Sequence, residues 1–262
     1  MSGKIQLQFA EQGQGPAVVM LHGFPLCKDI WREVVRDLSR NYRVITPDLR
    51  GHGNSPASEG PYSMHEMAAD VLALLDTLKV DKVVLMGHSM GGYVMLAAWD
   101  QQPQRFSALG LISSQAAADS EEARTRRFQL ITRVENEGVR AVVDVMTPKL
   151  FSPGWKADDP LVVEIQQMMI RTSPQGIIGA LRAMASRFDY MSRLAEIAMP
   201  MLIVTGVGDQ VIPLAQADTM MRSPRRGHLS QIKGAGHLPM LENAPETCAA
   251  IRDFLKKVGF NA

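Results

Sequence analysis

The chain has 262 residues and a net charge of +1 at pH 7, a length sufficient for one full-size α/β domain. The charges form no long runs of one sign, so neither a nucleic acid nor a membrane surface is expected as a partner. The two cysteines, Cys27 and Cys248, have no metal-ligand spacing, and the first residues lack the apolar region of a secretory signal; we expect a cytoplasmic protein without a bound metal.

The first half of the chain alternates between strand and helix patterns. Residues 5–9 alternate apolar and polar side chains and residues 17–21 are an apolar run, both typical of strands. Helical spacing follows over 29–40, then a strand at 42–46, and Ser63 with Glu66 forms a capping box that begins a helix to about residue 78. A strand at 83–86, a helix to about residue 101 and a strand at 108–112 complete this half. The alternation predicts a mostly parallel sheet covered by helices on both faces.

The pattern changes over residues 114–198, where no buried strand is evident. Helical spacing covers 121–137, 139–146, 160–171 and 174–187, the last with Ser173 as its N-cap. Strands at 201–205 and 229–232 and helices at about 212–221 and 245–258 then follow. We therefore expect a core of residues 1–113 and 199–262, with 114–198 as a helical cap over the carboxyl edge of the sheet.

The sequence G-H-S-M-G-G at residues 87–92 lies between a predicted strand and a predicted helix. Such a strand–turn–helix forces Ser89 into a strained conformation, exposes its hydroxyl at the sheet edge and places it at a helix N-terminus. These are the requirements of a nucleophile. The alternative is that the Ser89 side chain only caps the helix.

A serine nucleophile needs a base, and the base needs a group that balances its charge. His237 and Asp209 each follow a predicted strand in a glycine-containing loop, so both are expected at the same edge as Ser89. The chain order Ser, Asp, His is typical of this class of motif. The alternatives are that Asp209 only caps the next helix and that His237 is a structural loop residue.

Two backbone N–H groups are candidate donors to the oxyanion that attack by serine would form. The N–H of Met90 follows the candidate nucleophile, and that of Phe24 lies in the turn H-G-F-P, where Gly23 permits a close approach. Phe24 has the alternative of an ordinary loop residue. Substrate contacts are expected from residues of these turns and of the predicted cap: His22, Gly23, Trp31, Met146, Phe151, Phe188, Val211 and Leu238.

The predicted cap is rich in methionine, which indicates a pliable apolar pocket, or equally an ordinary core between helices. Four arginines on its first helix, which could bind a carboxylate or only face solvent, are Arg124, Arg126, Arg127 and Arg133.

The motifs together resemble the α/β-hydrolase family over almost the whole chain. They are H-G-F-P at 22–25, D-L-R-G-H-G-N-S at 48–55, G-H-S-M-G-G at 87–92, G-V-G-D at 206–209 and G-A-G-H at 234–237. The resemblance implies Ser89 as nucleophile, Asp209 as acid, His237 as base, and Phe24 and Met90 as oxyanion donors, without a cofactor or metal. Epoxide hydrolases and haloalkane dehalogenases of this fold use an aspartate where this chain has Ser89.

Small bacterial carboxylesterases and 3-oxoadipate enol-lactonases remain as the similar branches. Because the enol-lactonases often depart from H-G at this turn, His22-Gly23 favours a serine carboxylesterase that acts on a small-molecule ester. We expect a monomer or homodimer. The alternatives are an enol-lactone hydrolase, a C–C bond hydrolase, and a non-catalytic member of the fold that acts as a receptor or scaffold.

Overall fold

A central sheet organises the computed structural model, which describes residues 5–58, 60–222 and 226–260. Its strands are β1 (Phe9–Gln12), β2 (Ala17–Leu21), β3 (Arg43–Pro47), β4 (Val83–His88), β5 (Phe106–Ile112), β6 (Met201–Gly206) and β7 (Gly227–Ile232). The strand order is β1-β3-β2-β4-β5-β6-β7. The β1–β3 pair is antiparallel and every other pair is parallel. The predicted mostly parallel sheet is confirmed. Residues 1 and 262, at which the predicted core begins and ends, lie outside the described residues.

Helices cover both faces of the sheet. They are α1 (Arg32–Leu38), α2 (Met64–Thr77), α3 (Met90–Gln101), α4 (Glu121–Glu137), α5 (Arg140–Leu150), α6 (Pro160–Ile170), α7 (Pro174–Ala185), α8 (Leu214–Met221), α9 (Pro239–Glu242) and α10 (Ala244–Lys257). Every residue of β2 is buried: Val19 and Leu21 pack into the cluster that includes α2 and α3, and Val18 and Met20 into the cluster that includes α1 and α10. A strand buried on both faces needs an uninterrupted apolar run, which explains the pattern at 17–21.

The helices α4–α7 lie between β5 and β6 in the chain, and the start of α7 contacts the loop that follows β3. Ser173 caps α7 by accepting from Gly176 N at 3.0 Å. A Cβ on Gly176 would clash with the carbonyl oxygen of Gly51, and the Tyr62 hydroxyl donates to Gly176 O at 2.9 Å. The start of α7 is therefore packed directly against the loop of residues 48–55.

The boundaries differ from the predicted ones at several elements. The first strand begins at Phe9 and not at Ile5, because the β3 partner of Phe9 is Pro47, the last residue of that strand. Ile5 is instead held through its N–H by Asp70 at 3.1 Å. The helix predicted over 139–146 continues to Leu150 with a proline in its last turn, and the sequence did not predict α9. Within the described residues, no helix combines the length and apolarity needed to cross a membrane.

Candidate active site

Ser89 occupies a tight turn between β4 and α3, with φ 49° and ψ −115°. This conformation strains a residue that carries a Cβ. A Cβ on Gly87 would clash with the backbone of Gly91, and one on Gly91 would clash with the carbonyl oxygen at the end of β2. The strained backbone is held on both sides, because Ser89 N donates to Ile112 O at 3.0 Å and Ser89 O accepts from the Ser114 hydroxyl at 2.7 Å.

The Ser89 hydroxyl makes no capping hydrogen bond to α3, so its side chain does not serve as the N-cap. The half-buried residue instead lines a cavity of about 480 Å³ between the sheet edge and the helices α4, α5 and α7. The hydroxyl therefore faces space in which a small molecule fits.

Asp209 and His237 lie in the loops after β6 and β7 and contact each other. His237 Nδ1 donates to Asp209 Oδ2 at 2.9 Å and lies 3.1 Å from Oδ1. Oδ1 also accepts from Val211 N at 2.8 Å and Ile212 N at 2.9 Å. Burial alone would raise the pKa of Asp209, but the His237 ring and the two N–H groups lower it below its ordinary value. The carboxylate is thus held ionised against the ring, and α8, which begins at Leu214, is not capped by it.

His237 Nε2 is buried and has no hydrogen-bond partner among the described residues. In the tautomer whose Nδ1 proton is donated to Asp209, Nε2 of an imidazole has a free lone pair. His88, the residue before Ser89, donates from Nε2 to His237 O at 2.8 Å, and the two rings are 4.8 Å apart. The structure therefore brings the His237 loop to the Ser89 turn, although no hydrogen bond joins Ser89 Oγ to His237 Nε2.

The other three buried histidines have structural contacts. His22 donates from Nδ1 to Gly23 O at 2.9 Å and accepts at Nε2 from Leu49 N at 2.8 Å. His52 donates from Nδ1 to Arg50 O at 2.9 Å. Burial lowers the pKa of all three, to about 3 for His52 and well below the ordinary value for His88. These rings are neutral and hold the surrounding turns.

Phe24 lies in a turn close to Ser89, and Met90 follows Ser89 in the chain; among the described residues, neither N–H donates to a backbone oxygen. Gly23 makes this approach possible, since a Cβ there would lie 2.5 Å from His88 Nδ1 and 3.0 Å from Ser89 Cβ. Their role as donors to a negatively charged oxygen formed at Ser89 stays a prediction.

Two of the eight residues predicted to contact substrate, Met146 and Val211, line the cavity, as does Phe24. His22 and Gly23 form the turn behind Phe24. Met184, one of the methionines of the predicted cap, lines the cavity, but the sequence prediction missed other apolar residues on α3, α4, α7 and the loop after Asp209: Tyr93, Leu130, Leu181 and Ile212. In the sequence, these lining residues are marked only by apolar helical spacing, which residues of an ordinary core share.

Four predicted contacts lie elsewhere, for reasons of packing. Trp31 is fully buried with its ring edge-on to His88 at 6.4 Å. Leu238 is fully buried in the cluster that includes α1 and α10, and Phe151 is buried against Trp155 with the rings 5.3 Å apart. Phe188 is 52% exposed and packs on Tyr190.

Basic side chains form one wall of the cavity. Arg127 pairs with Asp119, and Arg133 binds Glu137 at 2.8 Å. Arg126 and Lys149 also line the cavity, and neither forms an ion pair with any described residue. In residues 5–58, 60–222 and 226–260, no three His, Cys, Asp or Glu side chains are grouped to hold a metal ion.

Comparisons with known proteins point to one family. A family model described as alpha/beta hydrolase fold matches residues 16–136. A thermophilic esterase from Thermogutta terrifontis, solved with malate bound, has a TM-score of 0.93 at 33% identity, over 98% of this chain and 99% of that one. An enol-lactonase from Burkholderia xenovorans has a TM-score of 0.89 at 25% identity, over 98% and 100% of the two chains. By sequence, 3-oxoadipate enol-lactonase 1 of Acinetobacter baylyi is 28% identical over 97% of this chain and 94% of its own.

Two glycines of the β6–Asp209 segment give a matched pair of substitutions. A Cβ at Gly206 would clash with the carbonyl oxygens of Ala235 and Gly236, whereas one at Gly208 would meet Ser152 Cβ at 3.1 Å. We expect Gly206→Ala to lower the free energy of unfolding in urea by about 1–3 kcal/mol, as overpacking does, and to weaken the Asp209–His237 contact. Gly208→Ala should have a clearly smaller effect. Equal losses for the two variants would contradict the close packing of these loops.

Proposed function

The chain belongs to the α/β-hydrolase fold family, and from that premise we propose that it is a serine hydrolase that cleaves carboxylic esters through an acyl-enzyme. One observation carries the proposal: His237 donates from Nδ1 to Asp209 at 2.9 Å, and its buried Nε2 has no hydrogen-bond partner among the described residues. The backbone of His237 is bound to His88, the residue before Ser89. A neutral imidazole fixed in this tautomer is a proton acceptor with a charged partner behind it.

The reaction divides the roles among a few groups. Ser89 Oγ attacks the ester carbonyl as His237 Nε2 takes its proton, and Asp209 stabilises the imidazolium. The N–H groups of Phe24 and Met90 bind the oxyanion. The alcohol leaves with the proton from His237, and a water deprotonated by the same ring attacks the acyl-enzyme. The acid departs as Ser89 regains its proton.

The substrate in this proposal is a small ester held between the sheet edge and a cap of residues 114–198. Its acyl or alcohol group contacts the cavity wall made by Met146, Leu181 and Met184. Methionine side chains adapt to groups of different shape. Cys27 and Cys248 are both unpaired and buried, which supports work in the reducing cytoplasm. A monomer or homodimer suffices, because the site is built from one chain.

The basic cavity wall favours a second candidate, hydrolysis of an ester or lactone that also carries a carboxylate, as in 3-oxoadipate enol-lactone. Arg126 lies one turn after Glu122, but that carboxylate binds the Ser120 hydroxyl at 2.7 Å. Lys149 is on α5 beside Met146. Two cations without ion-pair partners in the described structure attract an anionic group to the cavity and discriminate against a neutral one.

We expect Ser89→Ala to remain folded and to lose about 10⁴-fold or more of kcat with 4-nitrophenyl acetate, as triad deletions do. The reason is that the proposed mechanism takes its attacking oxygen from Ser89. Ser186→Ala removes an exposed hydroxyl bound to Arg182 O at 3.1 Å and is the matched control, with unchanged kcat. A Ser89→Ala protein that hydrolyses the ester at the wild-type rate contradicts the proposal.

The second candidate is tested with a pair of chromogenic esters, 4-nitrophenyl hydrogen glutarate and the neutral 4-nitrophenyl valerate. The double variant Arg126→Gln/Lys149→Gln should raise KM for the glutarate about tenfold, the scale of one charged hydrogen bond, and leave that for the valerate unchanged. Arg124→Gln, which breaks an exposed pair with Glu121 on the same helix, is the control. Equal changes for the two esters would remove the second candidate.

A further inference from the structure

Glu242, the last residue of the short helix α9, binds three backbone N–H groups with one carboxylate. Its Oε1 accepts from Gly236 N at 2.9 Å and from Leu238 N at 3.1 Å, the two residues on either side of His237. Its Oε2 accepts from Ser152 N at 2.7 Å, in the segment that follows α5. Hydrogen bonds to an ionised acceptor are roughly twice as strong as neutral ones, so this side chain firmly joins two loops that are distant in the chain.

The segment after α5 makes further contacts with the His237 loop. His237 N donates to Leu150 O at 3.0 Å. A Cβ on Gly236 would clash with Ser152 N, so the two backbones are in close contact. The backbone of His237 is therefore bound to the end of α5 directly as well as through Glu242.

The same segment also contacts the loop that carries Asp209. The Gln210 side-chain amide donates to Phe151 O at 3.0 Å, and a Cβ on Gly208 would lie 3.1 Å from Ser152 Cβ. Residues 150–152 thus lie against both partners of the buried Asp209–His237 pair. The α5 helix that ends there carries Met146 and Lys149, which line the cavity.

We propose that Glu242 is a positioning residue for His237 and that it couples the ring to the cavity wall formed by α5. This inference rests on the proposed function, in which His237 is the base. Glu242 acts through the backbone: it fixes the residues before and after His237, and through Ser152 it fixes the end of α5 to the same point. The position of the base and the position of the substrate wall are then set by one carboxylate.

The test compares Glu242→Gln, Glu242→Ala and wild type, with Glu246→Gln as the matched control. Glu246 is an exposed carboxylate at the start of α10 that binds the Asn243 side chain at 2.8 Å. The alanine variant loses both acceptor oxygens and all three hydrogen bonds; the glutamine variant keeps one acceptor oxygen and replaces the other by an amide nitrogen, which cannot accept. We expect kcat for 4-nitrophenyl acetate to fall about 100-fold in the alanine variant, the scale of a misplacement near 1 Å, and by an intermediate amount in the glutamine variant. The control stays at the wild-type value.

A second readout separates positioning from loss of stability. The proton on His237 Nδ1 is followed by NMR as a low-field resonance, identified by its disappearance in Asp209→Asn. In folded Glu242 variants this resonance should shift or broaden by exchange, because the ring is no longer held against Asp209. Where the alanine variant does not fold, the glutamine variant decides the question.

The outcomes distinguish this inference from the proposed function. A folded Glu242→Gln protein with wild-type kcat and an unshifted resonance overturns the positioning role. Absence of turnover in wild type, together with a resonance that moves in the Glu242 variants, overturns the proposed function and supports the positioning of the ring. A fall in kcat for Glu242→Gln that is no larger than the fall for Glu246→Gln also counts against a positioning role for Glu242.

Discussion

The contact between the Asp209 carboxylate and the His237 ring depends on the parallel pairing of β6 with β7. Gly206 pairs with Ile232 at the carboxyl end of both strands, so the two following loops leave the sheet at one edge. Gly208 N then donates to Ala235 O at 2.8 Å, which holds the loops together before either side chain is placed. The strand β4 lies two positions from β6 in the sheet, runs in the same direction and ends at the Ser89 turn. A parallel sheet brings all three chain segments to one edge.

The contacts of the buried histidines distinguish His237 from the others. His22, His52, His88 and His237 are all fully buried, and burial disfavours an imidazolium. Each of the first three donates to a backbone carbonyl, which orients the ring but does not balance a positive charge. His237 faces an ionised carboxylate that is itself stabilised by two backbone N–H groups. Among the buried histidines of the described residues, His237 is thus the one whose protonated ring would be balanced by a hydrogen-bonded carboxylate.

The sequence predicted the features that depend on local pattern. The capping box of Ser63 and Glu66 is present, the helix over 121–137 has the predicted bounds, and the sheet is mostly parallel. Strand-end positions also predicted that Asp209 and His237 approach each other. Their roles, with that of Ser89, stay predictions, and no hydrogen bond joins Ser89 to His237 in this structure.

The features that the sequence did not predict depend on contacts between distant segments. Glu242 looks like an ordinary residue at the end of a helical turn, and its three N–H partners lie in two loops about 85 residues apart, at 152 and 236–238. The direction in which Trp31, Phe151 and Phe188 point depends on neighbours from other elements, so residue type alone placed them in a pocket that they do not line. Arg126 and Lys149 belong to different helices, and only their packing brings both to the same cavity.

The most direct test of the account is a crystal structure of the protein after reaction with a fluorophosphonate ester. The account predicts phosphorus bonded to Ser89 Oγ, with the phosphoryl oxygen about 3 Å from the nitrogens of Phe24 and Met90 and His237 Nε2 hydrogen-bonded to an oxygen of the adduct. Phosphorus on a different side chain, or a phosphoryl oxygen directed away from both N–H groups, would contradict it.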